Sequence, residues 1–192
     1  MTRLFGLIAA LVLAVPVAAA ELGDDGLHKT DWMRDTFKDL RDDLAEAAAE
    51  DKRLMLIVEQ RGCIYCTRMH EEVFPRPAIA DYIRENFFVV QINLHGDTEV
   101  TDFDGESLSE KAAARKWGLL FTPSILFLPE EVPEGRSAAE AAVAMMPGAF
   151  EAGTTLDLLT WVNEKRYALD TDEDFQRYHA RKIAERAAAK QD

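Results

Sequence analysis

Two largely apolar runs mark the middle of the sequence. Residues 54–58 form a run of five apolar residues between charged neighbours, and residues 87–94 read FFVVQINL. Apolar runs of this length are typical of strands that are buried on both faces. The stretch between them has the apolar spacing of a helix and contains Pro75 and Pro77, which interrupt a helix. The order strand, helix, strand predicts a right-handed βαβ crossover with parallel strands.

The sequence after residue 94 predicts a second half of the sheet. A polar loop over 95–106 precedes a predicted helix over 107–118, in which Ser107 and Glu110 have the spacing of a capping box. The stretches TPSILFLPE and VAMMPGAF predict two strands that pair as an antiparallel hairpin. The stretch TTLDLLTWVNEKRY has the spacing of an amphipathic helix that packs on this sheet.

The two ends of the chain predict peripheral helices. Residues 31–52 have apolar positions close to helical period, with Asp31 as N-cap, whereas the polar residues 21–30 are expected to be loose. Residues 171–192 have a helical pattern with a strongly charged surface. We therefore predict an α/β fold in which helices flank a central mixed β-sheet, with an extra helix at each end. The three tryptophans have apolar neighbours and are expected in the core: Trp32, Trp117 and Trp161.

The first twenty residues predict an export signal. Arg3 precedes an apolar stretch over 4–17, and three alanines over 18–20 supply the small residues that a signal peptidase recognises. The stretch is short for a membrane span, although an uncleaved N-terminal anchor is the alternative. Residues 1–20 are thus predicted to be a cleaved signal peptide, and the protein is expected in the periplasm.

Composition narrows the domain organisation and the class of partner. The chain has 35 acidic and 22 basic residues and a formal net charge of −13, which argues against nucleic acid and anionic membranes as partners. The residues after the signal suffice for one domain with a sizeable core. We expect one domain over 21–170, a charged helical extension over 171–192, and a monomer.

Only two cysteines occur, Cys63 and Cys66, in the stretch RGCIYCT directly after the first apolar run. A disulfide across so short a loop removes little entropy from the unfolded chain, so metal ligation and reversible redox chemistry fit better. If Cys63 lies at the N-terminus of a helix, unpaired backbone N–H groups and the helix dipole stabilise its thiolate. Cys66, one turn later, is then placed to attack a mixed disulfide on Cys63.

The order strand, C-x-x-C, helix, followed much later by FTPSILF, resembles the thioredoxin-like superfamily. The resemblance covers roughly residues 52–167 and implies a thioredoxin-like three-layer fold with exchange chemistry at Cys63 and Cys66. It also implies a cis-proline at Pro123 that faces the sulfurs, and main-chain groups at Thr122 that bind an extended client peptide. Tyr65, between the cysteines, is a candidate client contact.

Three longer stretches are similar to the SoxW-type periplasmic thioredoxin-like proteins: GCIYCTRMHEEVF, VQINLHGD and WGLLFTPSILFL. This resemblance implies client proteins with disulfides, including those of a sulfur-oxidation system. It also implies a membrane thiol-electron carrier as the reductant. No cofactor is implied.

The sequence departs from ordinary thioredoxins around the cysteines. Gly62 and the pair Ile64 and Tyr65 replace the usual neighbours, and Ile57 stands where a buried aspartate usually accepts the proton of the second thiol. Glu59 lies two residues later on the same strand face and is a candidate proton acceptor in its place.

Metal or haem binding is the weaker interpretation of the cysteine pair. A metal needs two further ligands, and the four histidines offer no second ligand pair. Haem attachment needs a histidine directly after the second cysteine, where Thr67 stands. His70 is expected on a partly exposed helix face rather than as a catalytic base. No metal site is predicted.

Together these features predict an exported protein thiol–disulfide oxidoreductase. Reduced Cys63 attacks a client disulfide, and Cys66 resolves the mixed disulfide. The central pair, Ile64 and Tyr65, contains no histidine that could donate a hydrogen bond to the Cys63 thiolate, which favours a reductase. A periplasmic oxidase or isomerase is one alternative, and a peptide-binding module with an inert disulfide is another.

Overall fold

The computed structural model describes residues 20–190. The signal peptide predicted for residues 1–20 lies outside the described residues, apart from its last position. The strands are β1 (Glu21–Leu22), β2 (His28–Lys29), β3 (Met33–Arg34), β4 (Arg53–Glu59), β5 (Phe87–Asn93), β6 (Glu99–Thr101), β7 (Ser107–Ser109), β8 (Ser124–Phe127) and β9 (Ala144–Pro147). The helices are α1 (Leu40–Ala49), α2 (Ile64–Arg68), α3 (Pro77–Asn86), α4 (Glu110–Lys116), α5 (Ala138–Ala141), α6 (Ala152–Asn163) and α7 (Phe175–Ala188). A π-helical turn (Met69–Val73) continues α2, and a 3₁₀ turn (Arg166–Ala168) follows α6.

A mixed five-stranded sheet forms the centre of the fold, with the strand order β3-β5-β4-β8-β9. Strands β3 and β4 run parallel to β5, whereas β8 is antiparallel to β4 and β9 is antiparallel to β8. The predicted parallel pairing of the strands on either side of the cysteine-bearing helix and the predicted C-terminal hairpin are therefore both confirmed. Two short hairpins, β1–β2 and β6–β7, lie apart from this sheet.

Strand β4 separates two apolar clusters because its side chains alternate between the faces of the sheet. Met55 and Ile57 pack into the cluster that includes residues of α3, α6 and α7. Leu54, Leu56 and Val58 pack into the cluster that includes residues of α1, α4 and α5. All five side chains are fully buried, and each contributes roughly 1.5–3 kcal/mol to folding. The result is the three-layer α/β fold that the sequence predicted, with all three tryptophans buried.

The prediction of one helix from Asp31 onward is wrong. Helix α1 begins at Leu40 with Asp39 as its N-cap, and Met33 and Arg34 instead form an edge strand beside β5. Trp32 packs in the cluster on one face of the sheet and Leu40 in the cluster on the other, so the chain has to pass around the sheet edge between them. One straight helix cannot place both side chains, and the passage leaves Phe37 fully exposed.

The predicted capping box at Ser107 is also wrong. Ser107 lies in β7, and α4 starts after its N-cap Ser109. The Glu110 side chain accepts a hydrogen bond from the Asn93 backbone N–H and pairs with Lys38, so it is not free to cap. A capping box occurs instead at Ser137 and starts α5.

The predicted C-terminal helix is present as α7, which packs on α6. Tyr178 is buried, and the buried carboxylate of Asp157 on α6 contacts both His179 and Arg186 of α7. The Arg186 guanidinium donates to both oxygens of Asp157, at 2.7 and 2.8 Å. Across residues 20–190, no helix combines the length and the apolar character that crossing a membrane requires.

Candidate redox site

The cysteine pair lies where β4 gives way to α2. Gly62, with a φ of 71°, turns the chain in the left-handed region, which a residue with a side chain adopts at a cost. Cys63 is the N-cap of α2, and its Sγ accepts a hydrogen bond from the backbone N–H of Cys66 at 3.0 Å. This is the helix N-terminus at which backbone donors and the helix dipole stabilise a thiolate.

Cys63 and Cys66 form a disulfide with the two Cα atoms 5.2 Å apart. Cys63 retains 5 % of its surface and Cys66 retains none, so an approaching thiol or disulfide meets Cys63 first. The predicted division between an attacking and a resolving cysteine therefore has a geometric basis.

Thr122 connects the start of β8 to the cysteines. The Thr122 hydroxyl donates to the Sγ of Cys63 at 3.3 Å, and the Thr122 carbonyl oxygen lies 3.4 Å from the same sulfur. The peptide bond between Thr122 and Pro123 is cis. Pairing of β8 with β4 brings these residues, distant in sequence, to the end of the strand that precedes the cysteines.

An apolar rim surrounds this opening. Ile64 and Tyr65 of α2 expose 74 % and 56 % of their surface, and Leu120 and Phe121, which precede Thr122, expose 81 % and 62 %. Tyr65 is thus an exposed residue next to the cysteines, as a client contact requires. Leu120 and Phe121 escaped the sequence prediction, although the apolar stretch WGLLF ahead of the proline was a signal for them.

Glu59 is the last residue of β4, four positions before Cys63, and it is fully buried. One carboxylate oxygen lies 2.9 Å from Nε2 of His70, and the other accepts from the Gln91 side chain at 2.7 Å. The expectation that His70 is a partly exposed helix residue is wrong, since it retains 1 % of its surface. The imidazole of His70 is buried because the buried carboxylate of Glu59 needs hydrogen-bond donors.

The N-terminal segment completes this buried cluster. Leu27 and His28, expected to be loose, retain 2 % and 9 % of their surface. The His28 ring stacks on His70 with centroids 4.4 Å apart, and its Nε2 lies 3.3 Å from the Thr67 hydroxyl, which also donates to the Cys63 carbonyl oxygen at 3.2 Å. Burial, and next the neighbouring His70, lower the pKa of His28. Gln91, a polar residue inside a largely apolar strand, was a sequence signal for this cluster.

The two arginines that flank the cysteines are engaged elsewhere. Arg61 donates to the backbone carbonyls of Asp24 and Asp25, both at 3.1 Å. These hydrogen bonds attach the N-terminal segment to the turn that precedes Cys63. Arg68 pairs with Glu72 and Glu151. The partners of both guanidinium groups in these contacts are therefore oxygen atoms and not the cysteine sulfurs.

His28, Glu59 and His70 have ligand atoms within 4.8 Å of one another, close enough for one metal ion. An imidazole nitrogen binds a metal ion in the plane of its ring. The rings of His28 and His70 are stacked with only 11° between their planes, so a single ion cannot lie in both planes. The arrangement fits a hydrogen-bonded cluster and would have to reorganise to hold a metal.

Comparisons with known proteins identify the family. A family model for a thioredoxin-like domain matches residues 40–159. The solved structure of a thioredoxin-fold protein from Helicobacter pylori is similar at 21 % identity, covering 72 % of this chain and 86 % of that one, with a TM-score of 0.53. A thioredoxin from Thermus thermophilus matches at 19 % identity over 65 % and 83 % of the two chains, with a TM-score of 0.49. A search of curated proteins found no match. Since the family model spans more than half of the sequence, the chain belongs to the thioredoxin-like domain family.

Proposed function

We propose that this protein is a thiol–disulfide oxidoreductase that reduces disulfides of client proteins through Cys63 and Cys66. The observation that carries the proposal is the position of Cys63, at a helix N-terminus with donors from Cys66 and Thr122 on its sulfur. These donors stabilise the thiolate, which is the attacking species. Cys66 is fully buried and joined to Cys63, and it is the resolving thiol.

The client is an extended segment that lies along Thr122 and Pro123. The Thr122 main chain borders the Cys63 sulfur, and the rim of Ile64, Tyr65, Leu120 and Phe121 offers apolar contacts to side chains on both sides of the client cysteine. Main-chain pairing supplies affinity for many sequences, while the apolar rim favours clients with apolar neighbours around the disulfide.

Trapping of the mixed disulfide tests the exchange. We expect a Cys66→Ser variant, exposed to an oxidised extract, to accumulate covalent adducts that dithiothreitol releases. A Cys63→Ser variant serves as the matched control and should capture none. Equal capture by both variants, or by neither, contradicts the proposal and supports a peptide-binding module with an inert disulfide.

The direction of electron flow is part of the proposal and needs its own measurement. We propose a reductase, which in the reduced state speeds the reduction of insulin disulfides by dithiothreitol. An oxidase or isomerase would instead, as the oxidised protein, restore activity to reduced or scrambled ribonuclease. Activity in the second assay and none in the first would reverse the assignment.

We further propose that residues 1–20 are a cleaved export signal, that residues 21–170 form the domain and 171–192 an extension, and that the protein works as a monomer in the periplasm. The motif resemblance to SoxW-type proteins supports clients of a sulfur-oxidation system and a membrane thiol-electron carrier as reductant. The net charge of −13 supports the absence of nucleic acid partners. The mass of the protein recovered from a periplasmic extract tests both cleavage and location.

A further inference from the structure

A buried carboxylate, Glu59, and a buried imidazole, His70, contact each other and lie on either side of the cysteine pair in the sequence. We propose that His70 accepts the proton that Cys66 loses before it resolves the mixed disulfide, and that Glu59 positions and stabilises His70 for this step. The inference rests on the proposed function, because it concerns the second half of the same exchange reaction.

His70 has an open proton-acceptor position. An ionised carboxylate only accepts hydrogen bonds, so the 2.9 Å contact with Glu59 places a hydrogen on Nε2 of His70. A neutral imidazole then carries a lone pair on Nδ1. That atom is buried and has no hydrogen-bond partner among residues 20–190. A buried acceptor without a donor lowers the stability of the folded protein. A role in proton transfer explains why Nδ1 of His70 is left without a partner.

Cys66 lies in α2, and His70 lies in the π-helical turn that continues this helix. They are four residues apart, and they retain 0 % and 1 % of their surface. Residues at this spacing on a helix have Cβ atoms about 6 Å apart, a gap that one water molecule can bridge between Cys66 and Nδ1 of His70. Aromatic rings form other walls around His70: Trp32 lies parallel at 6.4 Å and Phe74 edge-on at 5.1 Å.

The charged and titratable groups around His70 single out Glu59 as the one that stabilises an imidazolium. From β2, His28 faces His70, and burial lowers the pKa of His28, which keeps that ring neutral. The Glu71 carboxylate, on the π-helical turn, raises the pKa of His28, but burial outweighs this effect. From β5, Gln91 donates to Glu59 and accepts from Lys29 at 2.7 Å, so Lys29 contacts the cluster only through an amide.

The need for a base follows from the burial of Cys66, because a thiolate in an apolar site is costly. The Cys63 thiolate first attacks the client disulfide, and one client thiolate leaves. Cys66 then gives its proton to Nδ1 of His70, and its electron pair forms the bond to Cys63 while the bond between Cys63 and the client breaks. The second client thiolate leaves with that bonding pair, and the imidazolium, held by Glu59, later returns its proton to water. Two electrons pass from the dithiol to the client disulfide, and no other oxidant or reductant is required.

Stopped-flow reaction of the reduced protein with one equivalent of Ellman's reagent separates the two halves of the exchange. Attack by Cys63 releases the first coloured thiolate, and resolution by Cys66 releases the second. We expect His70→Gln to keep the first phase within about twofold and to slow the second by about a hundredfold or more at pH 7, as for loss of a general base. The second phase in the variant should rise tenfold per pH unit up to the titration of Cys66 itself.

Matched variants keep the test decisive. His95→Gln changes an exposed histidine that contacts Gln60, and it should leave both phases unchanged. Glu59→Gln keeps an oxygen acceptor for His70 without the charge and should also slow the second phase, which covers the case in which His70→Gln fails to fold.

Three results would contradict the inference in distinguishable ways. An unchanged second phase with an unchanged pH profile in both cluster variants removes His70 and Glu59 from the step. Binding of one equivalent of zinc in dialysis, lost in His70→Gln, would show that the cluster is a metal site instead. Absence of the first phase in the wild-type protein would contradict the proposed function itself.

Discussion

The hydroxyl of Thr122 donates a hydrogen bond to the sulfur of Cys63 across 59 positions of sequence. Through this contact, a residue outside α2 donates a hydrogen bond to the attacking sulfur. It adds to the backbone N–H of Cys66, which donates to the same atom from inside the helix. The stability of the Cys63 thiolate therefore depends on both β8 and α2.

Replacement of Thr122 by valine should slow the reaction of reduced Cys63 with iodoacetamide about fivefold near pH 7. The change removes one hydrogen bond to a charged group, which is worth about 1 kcal/mol or more, and so raises the thiol pKa. Alkylation rates between pH 5 and 9 measure the shift. Thr122→Ser keeps the hydroxyl and should react like the wild type, whereas equal rates for valine and threonine would show that the hydroxyl does not stabilise the thiolate.

Two glycine-to-alanine changes should have opposite effects on the free energy of unfolding. Gly62 has a φ of 71° with open space around an added Cβ, so alanine there meets only backbone strain, about 1 kcal/mol. Gly153 is the second residue of α6 and has room for a Cβ, so alanine there should stabilise by about 0.5 kcal/mol. Urea titrations measure both, and a neutral Gly62→Ala would show that the turn relaxes.

Asp43→Asn should stabilise the protein at neutral pH by about 1 kcal/mol, allowing for water at the helix surface. Burial, together with the nearby carboxylates of Glu46, Asp39 and Asp42, raises the pKa of Asp43 to about 6. The folded protein therefore binds this proton more tightly than the unfolded chain, whose carboxyl titrates near 3.8. The stability from this group is present at low pH and is lost as the pH rises from about 4 to 6.

Urea unfolding at pH 4, 5, 6 and 7 measures this dependence, which the variant should lack. Asp42→Asn is the matched control, since Asp42 is the exposed neighbour on the same helix turn. If Asp42→Asn and Asp43→Asn give the same curves, burial of Asp43 has no part in the effect.

Asp157→Asn should weaken the packing of α7 on α6, because Asp157 contacts His179 and Arg186 of α7. Burial alone would raise the pKa of Asp157, but the hydrogen bonds from Arg186 and then His179 outweigh it and lower that pKa. The stability from this carboxylate is present above pH 4 and lost below it. Loss of the charge leaves both partners unmatched, at about 1–3 kcal/mol.

Hydrogen exchange measures the loosening of α7 directly. Amides of α7 should exchange at least tenfold faster in Asp157→Asn, while amides of β4 keep their protection. Glu185→Gln is the control: it removes an exposed salt bridge with Arg181 on the same helix and should change the exchange rates of α7 little. Faster exchange in β4 as well would mean that α7 does not open as a separate unit.

The sequence predicted the sheet and the cysteine pair because both depend on local patterns. The runs at 54–58 and 87–94 are apolar enough to specify buried strands, and the cysteines follow the first run directly. Pro123 was identified through a family motif, since no local pattern links it to cysteines so far away in the sequence.

The buried cluster was only partly predictable, because pairings between distant residues decide it. Glu59 could be selected from strand alternation. His70 was misassigned, because a helix pattern does not show that an acid on another element attracts the imidazole. His28 lies in a polar stretch whose burial depends on a contact between Arg61 and two backbone carbonyls. The same limit applies to α1, whose start at Leu40 depends on the passage around the sheet edge.

The docked N-terminal segment has a consequence for how the site is made during synthesis. Residues 24–28 leave the ribosome early, but their partners come later: Arg61, Thr67 and finally Gln91, whose side chain donates to the His28 carbonyl. Until β5 has been made, the segment has no complete surface on which to dock, because contacts between distant positions form only after both have emerged. A growing chain therefore presents both cysteines as ordinary thiols until Thr122 has also been made, because Thr122 supplies one of the donors to the Cys63 sulfur.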